Sequence, residues 1–294
     1  MINNLQKDYQ GLLENNPKIR AVEAAAQLGC SELDLLVLDW GVSVFGLQKQ
    51  TILDFFYESA ADYRFMSLMR NNEAVHECTT TTKSVDIKSS QEGWLISGAF
   101  SASIDCDRFE HIVLVHHHKK SMPKRSLQVF DASGKPIWKI YIKNHIDDFD
   151  SWISKYYLQN QPLPTSRNSK KNSRKDLKIN DSWQIATADS YASLIHLGSE
   201  QQWNLGIEVF HSSGSQTSII VPNEPVIMGP WFNIMQPHFN LHLMQEKVCH
   251  AYLYENFKNS HGVFYLNEEG QAIFQIFKNI SHEDDFMEIW KCVV

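Results

Sequence analysis

The chain contains 294 residues, of which 43% are hydrophobic, 12% aromatic and 21% charged. This is the composition of an ordinary globular protein, and it excludes disordered, collagen-like and coiled-coil chains. The formal net charge of −7 argues against a broad surface for nucleic acid or for an anionic membrane. Because a domain takes roughly 100–200 residues, the length predicts one large domain or two medium ones.

The five cysteines are scattered and show no C-x-x-C spacing, which is typical of reduced thiols in a cytoplasm. The first residues contain no apolar segment, and no run of about 18 apolar residues occurs. The sequence therefore predicts a soluble, cytoplasmic protein that inserts into no membrane and binds no nucleic acid.

Helical periodicity comes first along the chain and strand periodicity follows it. Apolar spacing predicts helices at 18–28, 32–38 and 52–61, the second of them capped by Ser31. A further helix is predicted at 147–157, after strands at 64–70, 75–80, 93–100, 111–117, 126–130 and 136–142. The second half predicts a helix at 189–196, then strands that begin at Gly206, Ser218, Phe239, Ala251, Val263 and Ala272. Runs of strands without βαβ alternation predict an α+β fold with large antiparallel sheets flanked by helices.

The two halves resemble each other. The string V-F-D-A-S-G-K-P-I-W, which begins at Val129, has a counterpart in Y-L-N-E-E-G-Q-A-I-F, which begins at Tyr265. In both copies an Asp-Asp-Phe and a Trp follow, and the period is too long for a solenoid. A polar stretch rich in Asn, Ser, Pro, Lys and Arg predicts an exposed linker between the copies. We therefore predict two tandem structural repeats, at 1–158 and 182–294, joined by a linker at 159–181.

Familiar catalytic motifs are absent from the sequence: there is no Walker A loop, G-x-G-x-x-G, H-E-x-x-H, G-x-S-x-G or zinc-ligand spacing. The chain does contain 13 histidines. His116 and His118 fall on one face of a predicted strand and are compatible with a metal site. No third ligand is evident nearby, so the alternative is a polar, partly exposed strand end.

His76 lies where a polar turn meets a predicted strand, six residues after Arg70. An arginine offers a cation to a carboxylate, and an imidazole offers a nitrogen to iron. The alternative interpretation, a structural histidine at a strand edge, remains open on these residues alone.

Several strings resemble the HemS/ChuS family of haemin-degrading factors. They begin with N-P-K-I-R-A at Asn16 and R-N-N-E-A-V-H-E at Arg70, and continue with R-S-L-Q-V-F-D at Arg125. In the second half, M-G-P-W-F-N at Met228 and F-N-L-H-L at Phe239 are similar to the family's most distinctive segment. The resemblance runs in order over about residues 12 to 290.

The resemblance implies a two-repeat haem protein in the cytoplasm of bacteria that import haem, which either breaks the porphyrin or passes it on. It implies His76 as the axial ligand of the haem iron. Arg70 and Arg125 match motif positions of the family, and Arg108 lies where an arginine approaches haem from the opposite face. A haem site needs an apolar, aromatic-lined cleft, a neutral imidazole and cations for the propionates.

The second repeat departs from the family pattern. Ser190 stands where the resemblance predicts a second axial histidine, and Tyr191 and His196 are the nearby alternatives. No arginine follows Arg174. The family's N-R-G-C and Q-I-H-x-G strings are also missing from this half.

Three functional hypotheses follow. The first is a haem-binding protein of haem uptake and iron acquisition that degrades or traffics haem, with an external electron donor if it is catalytic. The second is a non-catalytic carrier that delivers haem to a separate haem oxygenase, with that enzyme or the cytoplasmic face of a haem importer as partner. The third is a degenerate family member that keeps the fold for another ligand.

Overall fold

A computed structural model describes residues 2–59, 61–90, 93–117, 124–164, 179–257 and 260–279. The second Asp-Asp-Phe and Trp of the repeat, His118 and most of the predicted linker lie outside these residues. Six α-helices occur in the described part of the chain: α1 (Ile2–Asn15), α2 (Ala21–Leu28), α3 (Glu32–Val37), α4 (Thr51–Tyr57), α5 (Ile146–Ile153) and α6 (Ser190–Glu200).

The strands form two large antiparallel sheets, so the predicted α+β class is confirmed. The first half contributes β1 (Val44–Leu47), β2 (Arg64–Arg70), β3 (Ala74–Thr81), β4 (Val85–Ser90), β5 (Gly93–Gly98), β6 (Ser101–Ile104), β7 (His111–His117), β8 (Lys124–Phe130) and β9 (Pro136–Ile142). The second half contributes β10 (Gln184–Ala186), β11 (Leu205–His211), β12 (Gly214–Ile220), β13 (Val226–Met228), β14 (Trp231–Met235), β15 (Phe239–Met244), β16 (His250–Phe257), β17 (Ser260–Leu266) and β18 (Ala272–Asn279).

The chain divides into two compact units that are not simply its two halves. The first contains the described residues of Met1–Met66, Thr81–Lys83 and Asp105–Lys171. The second contains those of Ser67–Thr80, Ser84–Ile104 and Asn172–Val294. The predicted domain boundaries at 158 and 182 stay a prediction.

In the first unit, strands β1, β7, β8 and β9 are neighbours in that order, and helices cover both of their faces. Alternate residues of a strand point to opposite faces. On one face Val44, Val113 and Phe130 form a cluster with Leu33 of α3. On the other face Trp138 stacks against Phe56 of α4, with the ring centroids 6.0 Å apart.

In the second unit, one core joins both sheets to α6. Strands β3, β15, β14 and β13 follow one another in the first sheet, and β10, β16, β17, β18, β11, β12, β6, β5 and β4 make the second. Leu241 and Ile234 of the first sheet share a buried cluster with Ile207 and Phe274 of the second and with Leu194 of α6. The apolar faces of the two sheets therefore cover each other.

Ser31 caps α3, as the sequence predicts. Its hydroxyl accepts a hydrogen bond from the Asp34 amide at 3.1 Å, and the Asp34 carboxylate accepts one from the Ser31 amide at 2.8 Å. This reciprocal pairing satisfies two donors at the helix start that would otherwise lack a partner.

The predicted repeat appears as the same turn in both halves. After β8 the Gly134 amide donates to the Asp131 carbonyl at 2.9 Å, and after β17 the Gly270 amide donates to the Asn267 carbonyl at 3.0 Å. Both glycines have φ of 75°. In each turn the side chain of the first residue also accepts a backbone hydrogen bond. The Asp131 carboxylate accepts from the Lys135 amide at 3.0 Å, and the Asn267 amide oxygen accepts from the Gln271 amide at 2.9 Å.

The two glycines form a matched pair for mutation. A Cβ at Gly134 would lie 2.3 Å from the Ser31 hydroxyl oxygen, whereas a Cβ at Gly270 would meet no atom within 4 Å. We expect Gly270→Ala to cost only the left-handed backbone penalty, about 1–2 kcal/mol. Gly134→Ala should cost about 1–3 kcal/mol more, because its methyl group also displaces the helix cap.

Urea unfolding of both variants measures this difference. If the two substitutions shift the midpoint equally, Gly134 does not pack against the start of α3 as described.

Candidate functional site

His76, the predicted axial ligand, lies in the core of the second unit. It is the third residue of β3, pairs in register with Leu241 of β15, and has no exposed surface. Its ring meets the edge of Phe239 with the centroids 5.0 Å apart. The imidazole is therefore enclosed by protein.

Gln216, the third residue of β12, determines which imidazole nitrogen of His76 carries the proton. Its amide oxygen accepts a hydrogen bond from the Ser67 hydroxyl at 2.6 Å. Its amide nitrogen lies 2.6 Å from His76 Nδ1, 3.4 Å from the His76 carbonyl oxygen and 3.5 Å from the Ser67 carbonyl oxygen. An amide nitrogen facing two carbonyl oxygens is the donor. Nδ1 of His76 is consequently an acceptor, and the proton resides on Nε2.

Nε2 of His76 is buried and has no hydrogen-bond partner among the described residues. Burial lowers the pKa of His76 from 6.5 to about 3, since a charged imidazole is poorly solvated there. The ring is thus neutral, but its proton occupies the nitrogen that would have to bind iron. Ligation by His76 requires the Gln216 amide to turn and the core to open, and it stays a prediction.

The three predicted arginines already have protein partners. Arg125 of β8 pairs with both carboxylate oxygens of Asp150 in α5, at 2.7 and 2.6 Å. Arg108 donates from Nε to Asp105 at 3.2 Å, and Arg70 donates from Nε to the Asn71 carbonyl at 3.2 Å. Because Nε and Nη2 of Arg125 already donate to the Asp150 carboxylate, a haem propionate would have to displace Asp150 or share the guanidinium with it.

The four predicted residues divide between the units. Arg70 and His76 belong to the second unit, on the two sides of a turn closed by the Asn71 amide and the Ala74 carbonyl at 3.0 Å. Arg108 and Arg125 belong to the first unit. Their assignment to one haem site stays a prediction.

Ser190, the replacement for the second axial histidine, is a core residue. It begins α6, is buried, and its hydroxyl lies 3.1 Å from the Tyr265 hydroxyl. Burial raises the pKa of Tyr265, so this phenol remains protonated. The neighbouring Tyr191 is buried against Phe232, with the ring centroids 5.1 Å apart. This position offers no imidazole.

His196, the other alternative, is exposed on α6. Its ring contacts the carboxylates of Glu224 at 3.1 Å and Glu200 at 3.4 Å. The hydrogen bond that the His196 ring donates to the Glu224 carboxylate raises the pKa of His196 and so favours the imidazolium form, which has no lone pair for a metal.

His116 of the histidine run lies on β7, with its ring 5.3 Å from that of Phe45. Within the described ranges no group of three or more His, Cys, Asp or Glu side chains is placed to hold a metal ion. Nor does any helix in this part of the chain have the length and apolarity needed to cross a membrane.

Two strings of the second half, which mark the family resemblance in the sequence, lie on adjacent strands in the structure. Met228–Asn233 contributes to β13 and β14, and Phe239–Leu243 lies in β15. His242 pairs in register with Asn233, and its Nδ1 lies 2.6 Å from the Asn233 amide oxygen. Strand alternation could have placed His242 opposite the core-facing Leu241 and Leu243, but pairing with Asn233 needs the strand register.

Comparison with known proteins identifies a domain in each half. Residues 29–156 match the haemin-degrading HemS.ChuX domain. Residues 198–291 match the haem utilisation ChuX/HutX domain. One haem-utilisation domain in each half confirms the predicted tandem arrangement. No curated protein matches the chain.

Solved structures share the fold over the whole chain. Holo-PhuS, a haem-binding protein from Pseudomonas aeruginosa, is 17% identical with a TM-score of 0.88, and the match covers 100% of this chain and 99% of that one. The haem-degrading enzyme ChuS of Escherichia coli O157:H7 is 15% identical with a TM-score of 0.83, over 100% of both chains.

The fold and both domain matches define a two-repeat protein of the haem-utilisation class. The two domain matches confirm the resemblance to the HemS/ChuS family that the sequence motifs indicate.

The buried, neutral state of His76 predicts a specific acid sensitivity. Between its unfolded pKa of 6.5 and its folded pKa of about 3, the unfolded chain binds a proton that the native state does not. The neutral ring therefore makes its full contribution to the free energy of unfolding above pH 6.5. Below pH 6.5 this contribution falls by about 1.4 kcal/mol per pH unit.

Urea unfolding at pH 7.5 and pH 5 tests this with His76→Gln as the control. The variant keeps the carboxylates that also titrate in this interval. The difference between wild type and variant in the loss of unfolding free energy is therefore the contribution of His76. We expect wild type to lose about 2 kcal/mol more than the variant over this interval. Equal losses would contradict a neutral His76 in the core.

Proposed function

We propose that this protein binds haem in the cytoplasm of a bacterium that uses imported haem as an iron source. The observation that carries the proposal is the pair of haem-utilisation domain matches, one in each half. Shared architecture with a haem-binding protein and with a haem-degrading enzyme supports it. Haem serves here as ligand or substrate, and the protein supplies an axial bond and an apolar environment.

Within haem utilisation, one observation favours carriage over degradation. The second repeat has a buried serine at the position of the predicted second ligand, and that serine is hydrogen-bonded to Tyr265. A chain with fewer strong iron ligands is suited to release haem to a partner, such as a haem oxygenase or the cytoplasmic face of an importer. Degradation would require an external electron donor.

Haem binding is tested by titration with haemin. We expect a Soret band that grows and then saturates as haemin is added to the folded chain, because a specific site offers one axial bond and one cavity. The same chain unfolded in urea provides the control for nonspecific association. A signal that rises linearly without saturation in both samples would contradict the proposal.

The fate of bound haem distinguishes carriage from degradation. With ascorbate and oxygen, in the presence of catalase to remove free peroxide, a carrier keeps its Soret band until an acceptor protein is added. We expect the band to persist. Its loss, together with release of chelatable iron, would establish degradation instead.

The predicted ligand set of His76, Arg70, Arg108 and Arg125 is a separate part of the proposal. If His76 binds the iron, His76→Ala removes the Soret shift while the folded chain remains intact. If the burial of His76 reflects a structural role, the variant loses stability and keeps haem binding.

A further inference from the structure

Strand β1 forms one edge of the first sheet, and its sequence does not protect that edge. An edge strand presents unpaired backbone groups, to which a second chain can add a strand unless charged residues, prolines or short length prevent it. Strand β4 carries Asp86 and Lys88, and the three residues of β13 lie between Pro225 and Pro230. Val44–Leu47 contains neither a charged residue nor a proline.

Residues 156–161, which we name the edge clasp, follow α5 and cover β1 within the first unit. The Gln48 amide donates to the Tyr156 carbonyl at 3.0 Å. The Leu158 amide donates to the Gly46 carbonyl at 2.9 Å. The backbone of the clasp therefore pairs with the side of β1 that faces away from β7.

The side chain of Gln161 completes the clasp. Its amide oxygen accepts a hydrogen bond from the Gly46 amide at 2.7 Å, and its amide nitrogen donates to the Gly46 carbonyl at 3.2 Å. In an antiparallel ladder, the backbone of a paired residue makes the same two bonds. The Gln161 side chain thus takes the place of a neighbouring strand at Gly46.

The backbone of the clasp is strained to bring this side chain into position. Asn160 and Gln161 have left-handed φ values of 60° and 41°. Residues with a Cβ rarely adopt this conformation, and it persists only where the surrounding contacts hold it. The Gln161 amide closes a turn onto the Leu158 carbonyl at 3.3 Å, and the Trp40 indole donates to the Gln161 carbonyl at 3.0 Å.

A second copy of β1 fits the edge that the clasp covers. Two antiparallel copies centred on Gly46 would exchange the amide and carbonyl bonds that Gln161 now makes. Phe45 of each copy would lie opposite Leu47 of the other, and Lys49 opposite Ser43, so no like charges would meet. A glycine at the centre allows the close approach of another backbone.

We propose that the edge clasp prevents β1 from pairing with β1 of a second copy of this chain, and that the Gln161 side chain is the group that closes the edge. The stacking of Phe45 on Tyr157, with the ring centroids 5.0 Å apart, holds the clasp against the strand. The proposal concerns self-association and is independent of haem binding.

Gln161→Gly tests the proposal, with Gln202→Gly as the matched control. Glycine accepts the left-handed φ of both positions, so both variants keep the backbone conformation. Gln202 also has a left-handed φ, of 53°, and its side chain also donates to a backbone carbonyl, that of Ser199 at 2.8 Å. It follows α6 rather than covering β1.

Hydrogen exchange and sedimentation equilibrium supply the two measurements. In dilute Gln161→Gly the Gly46 amide should exchange about tenfold faster than in wild type, because its acceptor is lost. At higher concentration the mass of the variant should rise above that of wild type toward a dimer, and the Gly46 amide should regain protection. Gln161→Ala should show the same rise in mass, and Gln202→Gly should match wild type in both measurements.

Three results would overturn the proposal. Wild-type exchange of the Gly46 amide in Gln161→Gly would show that the side chain does not close the edge. Faster exchange with a wild-type mass at every concentration would show that the clasp does not exclude a second copy. Equal association of Gln202→Gly would show that the effect does not arise at β1.

Discussion

Iron binding by a histidine of this fold depends on which imidazole nitrogen carries the proton, and a neighbouring amide determines that nitrogen. A neutral histidine can bind iron only through its unprotonated nitrogen, and the partner of the other nitrogen fixes which one that is. Gln216 donates to Nδ1 of His76 and leaves the proton on Nε2, whereas Asn233 accepts from Nδ1 of His242. The neighbouring carbonyl and hydroxyl groups determine the orientation of both amides.

Sheet packing explains why the two histidines differ. His76 occupies the face of β3 that meets β12 of the second sheet, so its ring replaces an apolar core residue. Such a residue is conformationally constrained and costs stability when protonated. His242 lies on the opposite face of a neighbouring strand, together with the exposed side chains of Met228 and Met235. The fold thus places one histidine in the core and the other on the outer side of the sheet.

Much of the fold could be predicted from local patterns. Alternation predicted strands at 64–70, 111–117 and 136–142 with the bounds that the structure has, and Ser31 was correctly predicted as a cap. The site was harder, because the motif around His76 stands out in the sequence while its burial depends on Gln216, 140 residues away. The hydrogen bond between His242 and Asn233 could not be predicted either, because it forms only when β14 and β15 align in register.

The position of the proton on each imidazole is tested most directly by ¹⁵N–¹H correlation spectra of the histidine side chains. The contacts with Gln216 and Asn233 predict a proton on Nε2 of His76 and on Nδ1 of His242. A proton on Nδ1 of His76 would contradict the hydrogen bond that Gln216 donates to this nitrogen.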